Sequence, residues 1–238
     1  MQKKYSHIFF DIDNTLWDFE TNSRLAMQTA FNSLIANSEV SFDTFFTTYS
    51  KHNKLLWESY RNRQITKKEL ALKRFELTFD ELGIRQADPV KMNECYLAEM
   101  PEQKHLNAGV VELLEYLKQK RYYLSIITNG FSEVQVQKLE TSGISAFFSS
   151  IFISENVKAP KPGKEIFEAA VKSTNAKKQK SIMIGDDWEV DILGAYNYGI
   201  DSIYYQPNYP NKTQPEIEKK GKNIIHIIQS FEEVKTIL

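Results

Sequence analysis

Two hydrophobic rhythms divide this chain. One consists of short apolar runs that stop abruptly at polar residues: HIFFDID (7–13), YYLSIITNGF (122–131), KSIMIGDDWEVD (180–191) and DSIYYQ (201–206). Fainter runs lie at Ser150–Ile153 and Asn223–Ile228. Runs this short, rich in β-branched and aromatic residues, predict buried strands. The other rhythm is helical and falls between the runs. GVVELLEYLKQK sets Val110, Leu113, Leu114 and Leu117 on one stripe, and GKEIFEAAVKS does the same with Ile166, Phe167, Ala170 and Val171. EVQVQKLETSG ends in Gly143, a good helix stop. Strands alternating with helices predict βαβ units. The expected fold is therefore α/β, its core a doubly wound, Rossmann-like parallel sheet covered on both faces. In such sheets ligands bind beyond the carboxyl ends of the strands, where each polar cluster is expected to fall.

Residues 18–100 keep only the helical rhythm. SRLAMQTAFNSLI, FDTFFTTYSKHNKLLWESYRN, TKKELALKRFELTFDELG and ADPVKMNECYLAEM read as amphipathic helices with no strand among them. The prediction is an all-helical cap domain at 18–100, inserted into a core domain formed by 1–17 and 101–238. Its linkers fall near 17–22 and 101–107. A chain of 238 residues is long enough for a core with such an insertion.

The strand ends carry the candidate chemistry. After Ile8, Phe9 and Phe10 come Asp11 and Asp13, which strand alternation turns to one side while Ile12 turns away. Two like charges there are costly unless something is held between them. Thr128 and Asn129 end the second run, and ENVKAPKPGKEIF supplies Lys158 and Lys161 ahead of a helix. Gly185, Asp186, Asp187 and Asp191 follow the SIMI run. Brought together, Asp11, Asp13 and Asp186 make an oxygen-rich pocket. Hard oxygen donors favour Mg²⁺, which is usually held by a few carboxylates, waters and a substrate phosphate.

Charge and cysteine content narrow the partners. Thirty basic and 31 acidic residues leave a net charge of -1. No net basic field favours a nucleic acid polymer or an anionic membrane, so a small molecule is the expected partner. A single cysteine, Cys95, excludes an internal disulfide and suits a reducing compartment. The first apolar run is too short for a signal peptide, and eighteen apolar residues never occur in succession. A cytoplasmic protein is expected. His7, His52, His105 and His226 are scattered and read as structural or surface groups.

DIDNT (11–15) resembles the DxDx[TV] motif of the haloacid dehalogenase superfamily. Thr128 stands as that family's strand-terminal Thr or Ser, Lys161 as its lysine, and GDDWEVD as its GDxxxxD motif. The helical insertion stands where the family places its C1 cap, so the resemblance covers essentially the whole chain. It implies that Asp11 is a nucleophile forming an aspartyl-phosphate and that Asp13 is the general acid and base. It also implies Mg²⁺ on Asp11, the backbone carbonyl of Asp13, and Asp186. Thr128, Asn129 and neighbouring amides would hold phosphoryl oxygens while Lys161 neutralises charge. Asp191 would orient Lys161 or a metal-bound water, and Asp187 would stand behind the first acids. The family lysine is followed by Pro and later Phe, here Phe167, which selects Lys161 and leaves Lys158 as the alternative.

Within that superfamily, retaining both Asp13 and Asp186 implies phosphate ester chemistry and not carbon–halogen or phosphonate cleavage. The stretches LWDFE, KLLWESYRNRQIT, ITNGF and VDILGA are similar to its pyrimidine 5′-nucleotidase branch, the YjjG-like house-cleaning nucleotidases. That resemblance implies UMP, dUMP or dTMP as the phosphomonoester, in a monomer or weak homodimer. A sugar-phosphate phosphatase and a β-phosphoglucomutase-like phosphomutase share the core motifs. A phosphate-binding partner protein without turnover is the non-enzymatic alternative. Phe131, with Trp57 or Tyr60, is a candidate for stacking on a base.

Overall fold

The computed structural model describes residues 4–35, 38–208, 217–220 and 223–238. The chain divides into two compact units, one formed by Met1–Phe19 with Lys104–Leu238 and the other by Glu20–Gln103.

In the first unit the apolar runs are strands: β1 (His7–Phe10), β2 (Tyr123–Thr128), β3 (Ser150–Ile153), β4 (Ser181–Gly185) and β5 (Asp201–Tyr205), followed by β6 (Ile217–Lys220) and β7 (Asn223–Ile228). They form one sheet in the order β3-β2-β1-β4-β5-β7-β6. Every pairing is parallel except β6 on β7. The parallel α/β sheet predicted from the sequence is thus present, with an antiparallel edge added. That edge strand, IEKK, is too charged to have carried an apolar signal. The order runs outward in both directions from β1 and β4, and in doubly wound sheets such a reversal is where a ligand crevice opens.

The helical stripes account for the cover. The second unit holds most of α1 (Phe19–Leu34), then α2 (Phe42–Arg61), α3 (Lys67–Leu82) and α4 (Pro89–Glu99). In the first unit are α5 (Val110–Gln119), α6 (Ser132–Thr141), α7 (Ser154–Val157), α8 (Lys164–Ser173), α9 (Leu193–Tyr198) and α10 (Phe231–Ile237). Val110, Leu113, Leu114 and Leu117 are all buried on α5. On α8, Ile166, Phe167, Ala170 and Val171 pack with Phe9, Ile127 and Met183 into one cluster. Burying each large side chain of this kind contributes about 1.5–3 kcal/mol.

The second unit is held by aromatic packing and capped helices. Phe31 and Phe45 stand 5.3 Å apart, Tyr49 and Phe75 5.1 Å. Phe79 is buried with them. Thr66 and Glu69 form a reciprocal cap at the start of α3, and Gly83 ends it at a φ of 68°. Asp88 caps α4, with Pro89 in the first turn. Arg74 lies inside the aromatic cluster, donating to Asn93 Oδ1 at 2.6 Å and to the Tyr49 hydroxyl at 3.3 Å. No helix among the described residues is long and apolar enough to cross a membrane.

Candidate active site

Asp11 follows β1 directly, and its N–H donates to the carbonyl of Ile184 on β4 at 3.0 Å. This places the carboxylate beyond the strand ends, between β2 and β4. The next residues make a closed turn. Asn14 takes a φ of 61°, a left-handed conformation that asparagine tolerates better than most residues. Its N–H donates to Trp17 O at 2.8 Å. Asn107 donates to the carbonyls of Asn14 and Thr15, both at 2.8 Å. The Thr15 hydroxyl in turn donates to Asp186 Oδ1 at 2.9 Å, tying the end of β1 to the end of β4.

Of Lys158 and Lys161, it is Lys161 that reaches Asp11. Its ammonium is buried and lies 2.6 Å from Asp11 Oδ1, 2.6 Å from Asp191 Oδ1 and 2.8 Å from the carbonyl of Ile127. Lys158 is exposed, in a left-handed turn after α7. Asn129 holds the Lys161 backbone on both sides: its Nδ2 donates to Lys161 O at 2.9 Å, and its Oδ1 accepts from Lys161 N at 2.8 Å. The side chain expected to meet phosphate is therefore engaged in fixing the lysine. Asp187 caps the turn that follows β4, its carboxylate accepting from the N–H groups of Glu189 and Val190 at 3.0 Å each. Asp191 accepts from Asp187 N at 3.2 Å.

Asp11, Asp186 and Asp191 each offer a carboxylate oxygen within 4.8 Å of the others. Burial pushes the Asp11 carboxyl up to about 7, against the pull of Lys161 and with Asp191 and Asp13 adding to the rise. Burial, then Asp11 and Asp191, hold Asp186 well above the ordinary carboxylate range. Burial also raises Asp191, although Lys161 opposes it. Lys161 is raised as well, for a different reason: burial alone would lower it, and Asp11 and Asp191 more than reverse that. Three acids thus face one ammonium, and their ionised forms are under-compensated. Oxygen donors with a charge deficit of this sign suit Mg²⁺.

Asp13 is treated differently. Its carboxylate is turned to α6, where Lys138 Nζ donates to Oδ1 at 2.7 Å and Gln135 Nε2 donates to Oδ2 at 3.0 Å. Gln135 Nε2 also donates to Thr128 Oγ1 at 2.7 Å, and Gly130 N–H donates to the same oxygen at 3.1 Å. A hydroxyl that accepts twice has its own proton left to give. Lys138 lies 4.2 Å from the centre of the Trp17 ring and 5.6 Å from that of Phe19.

Two glycines are explained by these side chains. Neither takes a positive φ. A Cβ on Gly130 would fall on the Gln135 amide, and one on Gly185 would fall on the Asp191 carboxylate. Sequence reasoning missed Thr15, Asn107, Gln135 and Lys138. For α6 a signal existed: Gln135 and Lys138 occupy its buried stripe, beside Val134 and Leu139. Phe131, the candidate for base stacking, is 3% exposed, so its ring is already covered.

A family model for haloacid dehalogenase-like hydrolases matches residues 8–205, and the chain belongs to that family. It is 35% identical to pyrimidine 5′-nucleotidase YjjG of Escherichia coli, over 90% of each chain. It is 32% identical to pyrimidine 5′-nucleotidase PynA of Streptococcus pneumoniae, over 89% of each. Among solved structures, the magnesium-bound HAD-hydrolase YfnB of Bacillus subtilis superposes with a TM-score of 0.85 at 29% identity, over 99% of each chain.

Proposed function

We propose that this protein hydrolyses phosphate monoesters through an aspartyl-phosphate on Asp11, with Mg²⁺ as cofactor and pyrimidine nucleoside 5′-monophosphates as substrates. The observation that carries this reading is the separation of two carboxylates two residues apart. Asp11 sits in a buried acid–lysine cluster, while Asp13 is held by neutral and cationic donors from another helix. Environments that differ in this way suit a nucleophile and a proton carrier respectively.

Asp11, Asp186 and the backbone carbonyl of Asp13 would hold Mg²⁺, with Asp191 beside them, and the ion supplies charge neutralisation for the phosphoryl group. Lys161 fixes Asp11 through Oδ1. Asp11 forms a bond to phosphorus as the bond to the ester oxygen breaks, and that oxygen takes the proton of Asp13. Thr128 donates its free hydroxyl proton to a phosphoryl oxygen. Water then attacks phosphorus, gives a proton to Asp13 and releases Asp11 as a carboxylate. The pyrimidine nucleotide reading, UMP, dUMP or dTMP, rests on the identity to two pyrimidine 5′-nucleotidases along nine-tenths of the chain.

Phosphate release from p-nitrophenyl phosphate, UMP, dUMP, dTMP, AMP and sugar phosphates tests this, with Mg²⁺ and with EDTA. Turnover that needs the metal, prefers the pyrimidine monophosphates and disappears in Asp11→Asn is the expected outcome. Preference for a sugar phosphate would remove the nucleotide reading and keep the mechanism. Absence of turnover throughout would leave a phosphate-binding protein.

A further inference from the structure

Lys138 is an ammonium buried on a helix stripe where a methionine or leucine would pack at no electrostatic cost. Its side chain is 2% exposed. Burying a charge is expensive unless its partners are well placed. Here the partners are Asp13 Oδ1 at 2.7 Å and the faces of Trp17 and Phe19. Gln135, one turn earlier on the same helix, takes the other oxygen of Asp13. It does so while leaving its own Oε1 buried without a partner. Flipping the amide would set Oε1 against a carboxylate, so the orientation is dictated by Asp13 and Thr128. Two donors from one rigid helix, one on each carboxylate oxygen, fix both the place and the plane of Asp13.

We infer that Lys138 is the positioning residue for the general acid: it holds Asp13 where the leaving oxygen needs its proton, and touches no substrate itself. The inference rests on the phosphatase reading and deepens it. In the first step the phosphorus–oxygen bond breaks and the departing oxygen takes the proton from Asp13. An alkoxide, such as a nucleoside 5′-oxygen, needs that proton. p-Nitrophenolate leaves without it. A residue that acts only through Asp13 should therefore matter for the first leaving group and not for the second.

The test compares Lys138→Met, which keeps the apolar stem and loses the donor, with Lys138→Arg, which keeps charge and donor. The Mg²⁺-loaded protein is given the alkyl monophosphate it turns over best. In stopped flow, the first turnover of p-nitrophenyl phosphate is followed by p-nitrophenolate absorbance. General acids contribute about 10²–10⁴-fold, and losing alignment forfeits part of that. Lys138→Met should therefore lower kcat on the alkyl phosphate roughly 10- to 100-fold. KM and the first-turnover rate with p-nitrophenyl phosphate should stay within about threefold, and Lys138→Arg should recover most of kcat. An equal fall in both rates would overturn the inference, as would an unchanged alkyl phosphate kcat. If Lys138→Met does not fold, the same pair of rates on Lys138→Gln decides by the same criteria. A wild-type protein that releases phosphate from neither substrate would overturn the phosphatase reading instead.

Discussion

Gly130 and Gly185 show how much a motif residue can owe to a neighbour. Gly130 follows β2 and Gly185 ends β4, both in polar clusters where a turn requiring positive φ is the usual reason for glycine. Neither adopts one. Each is small because a site side chain crosses its backbone, Gln135 over Gly130 and Asp191 over Gly185. Gly130→Ala should consequently push the Gln135 amide off both Asp13 and Thr128 without disturbing the core. The expected outcome is a folded protein, its unfolding free energy lowered by no more than about 1–3 kcal/mol through overpacking, with kcat reduced well beyond that of a surface substitution. Urea unfolding alongside kcat checks this. Activity equal to wild type would mean that Gln135 contributes nothing at Thr128 or Asp13. Asp11, Asp13 and Thr128 were legible in the sequence because each stands at or just beyond a strand end, and Lys161 because the family motif sets a lysine before Pro162 ahead of α8. Thr15, Asn107, Gln135 and Lys138 act through single contacts made across the fold, and a one-dimensional pattern carries no sign of those.

Helices α6 and α8 bury the same positions and use them for different ends. On α8 the stripe is Ile166, Phe167, Ala170 and Val171; on α6 it is Val134, Gln135, Lys138 and Leu139. The first packs against Phe9, Ile127 and Met183 and holds the sheet together. The second spends half its buried face on Asp13 and Thr128. Truncating Phe167 to Ala should accordingly cost about 3–5 kcal/mol in urea unfolding. Lys172→Ala on the exposed face of the same helix should stay within about 0.5 kcal/mol. A Phe167→Ala cost below about 1 kcal/mol would show that the α8 stripe is not the core of this unit. The contrast also explains what the apolar rhythm could and could not reveal. It marked β1 to β5, β7 and the α5 and α8 stripes, since burial there is apolar. It understated α6, whose buried face is half polar, and it missed β6, whose charged sequence pairs only at the edge of a sheet.

For the molecule as a whole, charge is almost balanced, and the buried acid cluster is a source of pH dependence that a metal can act on. Asp11 titrates near 7 when folded, against 3.8 ordinarily, and Asp186 and Asp191 are raised as well. A folded state that holds such protons more tightly than the unfolded chain is penalised as pH rises. The penalty builds from about 4 upward and levels off above about 7. His7 and His226 act in the opposite direction, because burial lowers both and folding then weakens as pH falls below 6.5. The melting temperature of the metal-free protein therefore mixes two slopes of opposite sign. Mg²⁺ separates them, since it competes with protons for the carboxylates and leaves the histidines alone. The rise in Tm on adding Mg²⁺ to EDTA-treated protein should be small at pH 5 and should grow steadily to pH 8. For unperturbed carboxylates, that growth would be complete by about pH 5. Thermal melts at half-unit intervals, with and without the metal, measure it. A Mg²⁺-induced shift that is the same at pH 5 and pH 8 would show that the ion does not bind at Asp11 and Asp186, beside Asp191. It would also remove the cluster as the reason for placing three acids around one lysine.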